Sequence, residues 1–302
     1  MKDGADHARV RRFLNLGFNP GRVRGMQAMI QQIVNELLDR LAAKSQAAKG
    51  QAAQGQIDVC ADFAFLLPAY VLSDVLGVHP EDRGKIVQWS VDFVDFFNVV
   101  PISVDTSRRL LQSGLAMMDY TRALIAERRA HPQDDFLGAL VNAQAKEPDF
   151  AEDDIVANAM LLLLAGHVAV RNLIGNAVFL LLKHSDQLTR VKADSTLLPR
   201  LTEETLRYEP PVTMIPRIAA MDFQFRGQTI RKGQIVQLSI ASANRDSAHF
   251  PDGDRFDILR KPGQGSEFRR GSPRLPGSRF GKRTKSYCHR GVAFPDAEPE
   301  IR

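Results

Sequence analysis

The chain has 302 residues, of which 44% are hydrophobic and 25% are charged, as in water-soluble globular proteins with one large domain or two ordinary ones. Only two cysteines are present, Cys60 and Cys288, which excludes a disulfide-built scaffold and indicates a reducing compartment. The net charge of +5 comes from residues 263–302, with nine Lys/Arg against four Asp/Glu, because residues 1–262 are balanced. This distribution argues against a nucleic-acid-binding domain.

The amino terminus, "MKDGADHARVRR", is too polar for a secretory signal peptide. The most apolar run, "AMLLLLAG", is soon followed by His167 and Arg171, so it is too short for a membrane-spanning helix. We therefore expect a cytoplasmic protein with no membrane span.

Helical patterns dominate the first half of the chain. Apolar residues at three- and four-residue steps predict a helix from Pro20 to about Lys44, followed by a polar low-complexity loop. The stretch from Ile57 to Gly77 predicts a short strand and then a buried helix. Three more helices are predicted at about 81–97, 105–130 and 134–145.

The longest pattern begins with acids at Asp153 and Asp154 and ends near His184, which suits the helix dipole at both ends. About 32 residues would span roughly 48 Å. The segment is apolar nearly all round, which is typical of a helix that crosses the middle of a large domain.

Two shorter helices follow, and then "FQFRGQTIRKGQIVQLSIAS" alternates as strands do, with Gly227 and Gly233 at turns. Helices first and a small sheet later predict a mainly α (α+β) fold. Beyond residue 262, forty residues contain only three Leu, Ile or Val, too few for a core. We predict one domain over 1–262 and an atypical basic tail over 263–302.

Charged residues supply the first site candidates. Glu204 and Arg207 share a helix face and can pair, either as a solvated surface pair or as a buried cluster with a third group such as Arg255. Three cations could be surface residues or could together bind paired carboxylates: His7, Arg11 and Arg217.

Four blocks, "DGADHARVRRFLNLGFNPGRV", "LLLLAGHVAVRNLIGNAV", "LTEETLRYEPPV" and "ANRDSAHFPDGDRFDILRKP", resemble successive blocks of the bacterial cytochromes P-450 over about residues 3–262. The resemblance implies the fold of these haem-thiolate monooxygenases, with haem b as cofactor. It also implies a monomer that hydroxylates a small apolar substrate with O2 and electrons from a ferredoxin and its reductase. The block around Gly166 resembles P-450s of soil and root-nodule bacteria linked to terpenoid oxidation, so terpenoids are candidate substrates.

The resemblance assigns roles to residues already singled out. A structural triad beneath the haem would consist of Glu204, Arg207 and Arg255. The haem propionates would be bound by His7, Arg11 and Arg217. The oxygen-binding part of the long helix would include Ala165 and Gly166, which leave room for oxygen, and then Val168 and Ala169.

Three departures from the family pattern bear on activity. The family has further helices and a sheet before the "HARVRR" block, so we expect residues 1–262 to be a cytochrome P-450-like domain that lacks its N-terminal part. In the long helix the family has an acid followed by a threonine, and these two residues deliver protons. This chain has Val168 and Ala169 at the matching positions, and neither side chain can relay a proton. Either an ordered water or a substrate hydroxyl replaces them, or the site has decayed.

The third departure concerns the iron ligand. The family loop reads Phe-Gly-x-Gly-x-(His/Arg)-x-Cys-x-Gly, and its amides keep the sulfur a thiolate. Here Phe280 and Gly281 match, but Tyr287 stands at the ligand position and Cys288, the candidate axial ligand, comes one residue late. We hypothesise a frameshift after about residue 262, which the other two reading frames of the gene would test.

Three functions remain open at this point: a P-450 monooxygenase, an inactive truncated relative without functional haem ligation, and a helical interaction protein that keeps only the scaffold.

Overall fold

The structure, a computed structural model, describes residues 9, 11–12, 14–15, 20–49, 57–98, 103–147 and 150–260. These residues divide into two compact units, and the boundary falls inside one long helix, between Ile174 and Gly175. The tail predicted for residues 263–302 lies outside the described residues.

The first unit is helical throughout its described part. Its helices are α1 (Pro20–Gly25), α2 (Gln27–Lys49), α3 (Leu66–Leu76), α4 (Arg83–Asn98), α5 (Val104–Ala130), α6 (Phe136–Lys146) and the greater part of α7 (Glu152–Lys183). The predicted helices are present within a few residues of their expected ends. The helix predicted from Pro20 is interrupted by a turn at Met26, directly after Gly25, a poor helix former.

The strand predicted before α3 is wrong. Cys60–Ala64 forms a π-helical turn, in which the amide of Phe65 donates to the carbonyl of Cys60 at 2.9 Å. Pro68, in the first turn of α3, has no amide hydrogen and so makes no hydrogen bond to the carbonyl of Ala64.

Apolar side chains from α2 to α7 form the core of this unit. The largest fully buried ones are Phe63, Phe136, Phe150, Ile30, Leu37, Leu67, Ile86, Met117, Ile125, Leu137 and Leu140. Helix α7 is long and apolar enough to cross a bilayer by length and composition alone, a test that core helices of water-soluble proteins also pass. Its residues Ile155, Ala159 and Leu163 are buried in the core.

A buried arginine joins the end of α5 to the start of α6. The Arg128 guanidinium donates to Asp135 at 2.6 Å and to the carbonyl of Gly77 at 2.9 Å. Asp135 also caps α6 by accepting from the amide of Gly138 at 2.7 Å. Because this one arginine meets three elements, it fixes the loop after α3 against both helices.

The second unit continues from α7 into α8 (Ser185–Ala193), α9 (Leu198–Tyr208), four short strands and α10 (Ile240–Ala243). Strand β1 (Met214–Ile218) pairs antiparallel with β4 (Ile235–Ser239), and β2 (Phe223–Phe225) pairs antiparallel with β3 (Gln228–Ile230). The mainly α fold with a small sheet region, predicted from the sequence, is confirmed.

Candidate functional site

A buried ion pair lies on α9. The Arg207 guanidinium donates through Nε to Oε2 of Glu204 at 2.9 Å and through Nη2 to Oε1 at 2.7 Å. Each side chain is only 5% exposed. The spacing of three residues on one helix face therefore produces a bidentate pair inside the protein, and the alternative of a solvated surface pair is wrong.

The third arginine of this cluster is Arg260, not Arg255. Arg260 Nε lies 3.3 Å from Oε1 of Glu204, whereas the side chain of Arg255 is exposed. Arg255 takes part through its carbonyl, which accepts from Arg207 at 2.9 Å and from Arg260 at 3.0 Å. The correction has a backbone cause: the amide of Asp257 donates to Glu204 at 2.9 Å, and the turn that follows brings Arg260 back to the carboxylate.

Main-chain carbonyls complete the hydrogen bonding of both arginines. Arg207 Nη1 donates to the carbonyls of Asn244 at 2.9 Å and Gly253 at 2.7 Å, and Arg260 donates to that of Asp252 at 2.8 Å. A buried ionic group is tolerated only when its donors and acceptors are satisfied in this way. The cluster therefore fixes the backbone of residues 244–260 against α9.

Aromatic rings cover the same cluster. The Arg207 guanidinium carbon lies 5.5 Å from the ring centroid of Phe250 and 5.6 Å from that of Tyr208, and Arg245 lies 4.6 Å from the Tyr208 centroid. These are cation–π distances. Water is therefore kept from one side of the ion pair.

Exchanging Arg260 and Arg255 separately for glutamine should show which arginine belongs to the cluster. We expect Arg260→Gln to lower the free energy of unfolding by about 2 kcal/mol, because it removes charge-assisted hydrogen bonds to a buried carboxylate. Arg255→Gln should change it by no more than about 0.5 kcal/mol, as for an exposed side chain. Urea denaturation followed by circular dichroism measures both, and a larger loss for Arg255→Gln would contradict the assignment.

The long helix α7 carries the predicted oxygen-binding residues Ala165, Gly166, Val168 and Ala169. A Cβ on Gly166 would lie 3.0 Å from Cδ1 of Leu72 in α3. On this side of Gly166 the space is filled by a core leucine, and the oxygen-binding role of Ala165 and Gly166 stays a prediction. The missing side chain lets α3 and α7 approach closely.

His167, which the sequence did not single out for the site, is the polar group of this stretch. Its side chain is 1% exposed, its Nε2 donates to the carbonyl of Phe65 at 2.8 Å, and the two rings meet edge to face at 4.4 Å. Burial lowers the pKa of His167 to about 4, and the charge of Arg171 acts in the same direction. The imidazole is therefore neutral near pH 7.

His167 does not replace the missing proton-delivering pair. Val168 and Ala169, both half-buried, carry no polar side-chain atom. The neutral ring of His167 donates its single N–H to the carbonyl of Phe65. Its Nδ1 is buried and has no hydrogen-bond partner among the described residues. No protonated group is therefore offered at this point of α7.

The pKa of His167 predicts a loss of stability in acid. Between pH 6.5 and 4 the unfolded chain binds a proton at this residue that the folded chain does not, so stability falls as the pH falls. We expect about 2–3 kcal/mol over this window. In His167→Gln this part of the acid dependence should disappear. Urea denaturation at several pH values checks it, with the exposed His249→Gln as control, and equal slopes in wild type and His167→Gln would refute it.

Of the three predicted propionate-binding cations, two are described. Arg11 is helical and half-buried in the first unit, with no hydrogen bond or ion pair among the described residues. Arg217 is exposed on β1 of the second unit and donates only to the carbonyl of Pro216, at 2.9 Å. His7 lies outside the described residues. In donor chemistry, both guanidinium groups fit the carboxylates of a haem.

The predicted iron ligand cannot be placed in the same way, because Cys288 lies outside the described residues. Cys60 is exposed at the start of the π-helical turn. Within the described part of the chain, no group of three or more His, Cys, Asp or Glu side chains could hold a metal ion.

A mainly helical fold, a long central helix and a buried Glu-x-x-Arg cluster are features of the haem-thiolate proteins. The sequence model of the cytochrome P450 family matches residues 1–261, and the chain belongs to this family. Haem is the cofactor of the family, whose members generally bind small substrates and receive electrons from redox partners.

Three relatives illustrate the match. Cytochrome P450 107B1 of Saccharopolyspora erythraea is 38% identical over 260 residues, covering 86% of this chain and 60% of the relative. The steroid C26-monooxygenase of Mycobacterium tuberculosis is 32% identical over 260 residues, covering 86% of this chain and 67% of the relative. The crystal structure of P450BioI with an acyl carrier protein ligated to hexadec-9Z-enoic acid superimposes with a TM-score of 0.83 at 30% identity, covering 95% and 71%. The chain spans 60% of the length of the first of these relatives.

Proposed function

We propose that this chain is the greater part of a cytochrome P450 monooxygenase that hydroxylates a small apolar substrate. The observation that carries the proposal is the buried cluster of Glu204, Arg207 and Arg260, with its carboxylate and both guanidinium groups hydrogen-bonded. An ionic cluster of this kind is costly to bury, so its full hydrogen bonding favours a chain that has kept the machinery of the family.

Haem b is the proposed cofactor, and when bound it would supply oxygen activation with two electrons, one oxygen atom entering a C–H bond and the other leaving as water. His7, Arg11 and Arg217 would hold its propionates. The cluster around Glu204 would keep rigid the segment that leads along the chain toward Cys288, the candidate thiolate ligand.

The residues of α7 limit how protons reach the site. Val168 and Ala169 offer none, and His167 is neutral and hydrogen-bonded to Phe65. A bound water or a hydroxyl group of the substrate would have to supply them. These same residues favour the second candidate, a relative that has lost activity.

Partners and location complete the proposal. The electron donor would be a ferredoxin with its reductase, the substrate a small apolar molecule such as a terpenoid, and the protein a cytoplasmic monomer. The haem-binding domain would cover residues 1–262, with the basic segment 263–302 in place of the usual ligand loop.

A reduced, CO-treated sample tests the function directly. We expect the red-shifted absorption band of a thiolate-ligated haem, and its loss in Cys288→Ser, because serine offers no thiolate. Cys60→Ser is the matched control and should keep the band. Absence of the band from wild-type protein supplied with haem would favour the inactive relative, and a band that survives Cys288→Ser would exclude Cys288 as the ligand.

A further inference from the structure

Two ion pairs join the amino-terminal helical residues of the first unit to later elements. Arg9 Nη2 lies 3.1 Å from Oδ2 of Asp154, in the first turn of α7. Arg12 Nη2 lies 3.3 Å from Oε2 of Glu147, directly after α6. Arg9 and Arg12 thus contact carboxylates on two separate elements, and the more buried Arg9–Asp154 pair fixes the rotation of this segment about its axis.

The same segment carries Arg11, on a different face. At 100° per residue, Arg9 and Arg12 lie about 60° apart, and Arg11 lies about 130° from the direction midway between them. Leu14, on the Arg11 side of the helix, packs against the core. Arg11 therefore faces away from the carboxylates that its two neighbours contact.

The geometry points to Arg9 as a positioning residue for carboxylate binding by Arg11, an inference that rests on the proposed haem-binding function. The Arg9–Asp154 pair holds the helical residues so that Arg11 is not neutralised by Asp154 or Glu147 and remains available to a propionate. Without this pair the segment can rotate, and the protein's own carboxylates compete for Arg11.

The two ion pairs differ in burial, and this difference gives the experiment a matched control. The side chains of Arg9 and Asp154 are 24% and 12% exposed, whereas those of Arg12 and Glu147 are 65% and 51% exposed. An exposed pair contributes little to holding a helix in place. Arg12→Gln removes the same charge from the same segment as Arg9→Gln, but should leave the orientation of Arg11 nearly unchanged.

The full chain is titrated with hemin and, separately, with hemin dimethyl ester, in which the propionates carry no charge. The difference between the two affinities is the contribution of the propionate carboxylates to binding. Haem absorbance and quenching of the single tryptophan, Trp89, report binding. We expect Arg9→Gln to weaken hemin binding about tenfold, the effect of one charge-assisted hydrogen bond, and to leave the ester unaffected. Arg12→Gln should change hemin binding by less than about twofold.

Two further variants separate positioning from general damage. Arg11→Gln should lose as much hemin affinity as Arg9→Gln, and the double variant should lose no more than Arg11→Gln alone, because Arg9 acts through Arg11. Arg9→Lys should recover part of the affinity, since an ammonium group can still pair with Asp154. Thermal unfolding without hemin confirms that each variant is folded.

The outcomes distinguish the inference from the function on which it rests. If Arg9→Gln prefers hemin over the ester as strongly as the wild-type chain does, Arg9 has no positioning role. Additive losses of affinity in the double variant would exclude that role as well. Neither result would argue against haem binding. No hemin binding by the wild-type chain would overturn the proposed function, and the positioning role with it.

Discussion

Replacing Glu204 by glutamine should lower the free energy of unfolding by about 3–5 kcal/mol, the range for breaking a buried ion pair by removing one partner. The carboxylate accepts from Arg207, Arg260 and the amide of Asp257, at distances from 2.7 to 3.3 Å. Glutamine has nearly the same shape but brings an NH2 group against two guanidinium groups. Both arginines would then be left without their counter-charge.

Glu209→Gln is the control for this experiment, because it makes the same change one residue beyond α9. Glu209 is 49% exposed and lies 3.5 Å from Arg245, an ion pair expected to contribute at most about 1 kcal/mol. Urea denaturation at pH 7, followed by circular dichroism, measures both variants. Equal losses would mean that burial of the Glu204 cluster does not stabilise the second unit.

The sequence predicted well those features that depend on local periodicity. The helices follow from apolar spacing, and the Glu204–Arg207 pair follows from two charges three residues apart on one helix face. Both patterns are visible without knowing what packs against them. Spacing alone could not decide whether the pair is buried, because burial depends on residues 244–260, which meet α9 only in the folded chain.

The sequence was a poor guide where the path of the backbone decides which side chains meet. Arg255 and Arg260 stand five residues apart in a turn-rich segment, and no periodicity tells which guanidinium returns to Glu204. The close approach of α3 to Gly166 depends on Leu72, far away in sequence, and the buried hydrogen bond of His167 depends on the carbonyl of Phe65. A histidine within an apolar run was the available signal for a buried polar contact.

The π-helical turn at Cys60–Ala64 shows a related limit. An apolar stretch of this length is compatible with a strand or with a buried helix, and periodicity cannot separate them.

Gly253→Ala should lower the free energy of unfolding by about 3 kcal/mol, from overpacking together with the loss of a buried hydrogen bond. A Cβ at this position would lie 2.6 Å from the carbonyl oxygen of Arg245, which is main chain and cannot turn aside as a side chain would. Relief requires the backbone at Gly253 to move, and its carbonyl accepts from Arg207 at 2.7 Å. The substitution therefore disturbs the cluster without touching any of its charges.

Gly84→Ala is the matched control, because nothing lies within 4 Å of a Cβ at this exposed position in α4. It should stabilise the protein by about 0.5–1 kcal/mol through helix propensity, the opposite sign. Chemical denaturation of the two alanine variants, and of Gly253→Ala combined with Glu204→Gln, measures the coupling. If the double variant loses less free energy of unfolding than the sum of the two single variants, Gly253 belongs to the same network as Glu204. Strict additivity, or no loss in Gly253→Ala, would contradict the idea that the close approach of Gly253 to Arg245 supports the cluster.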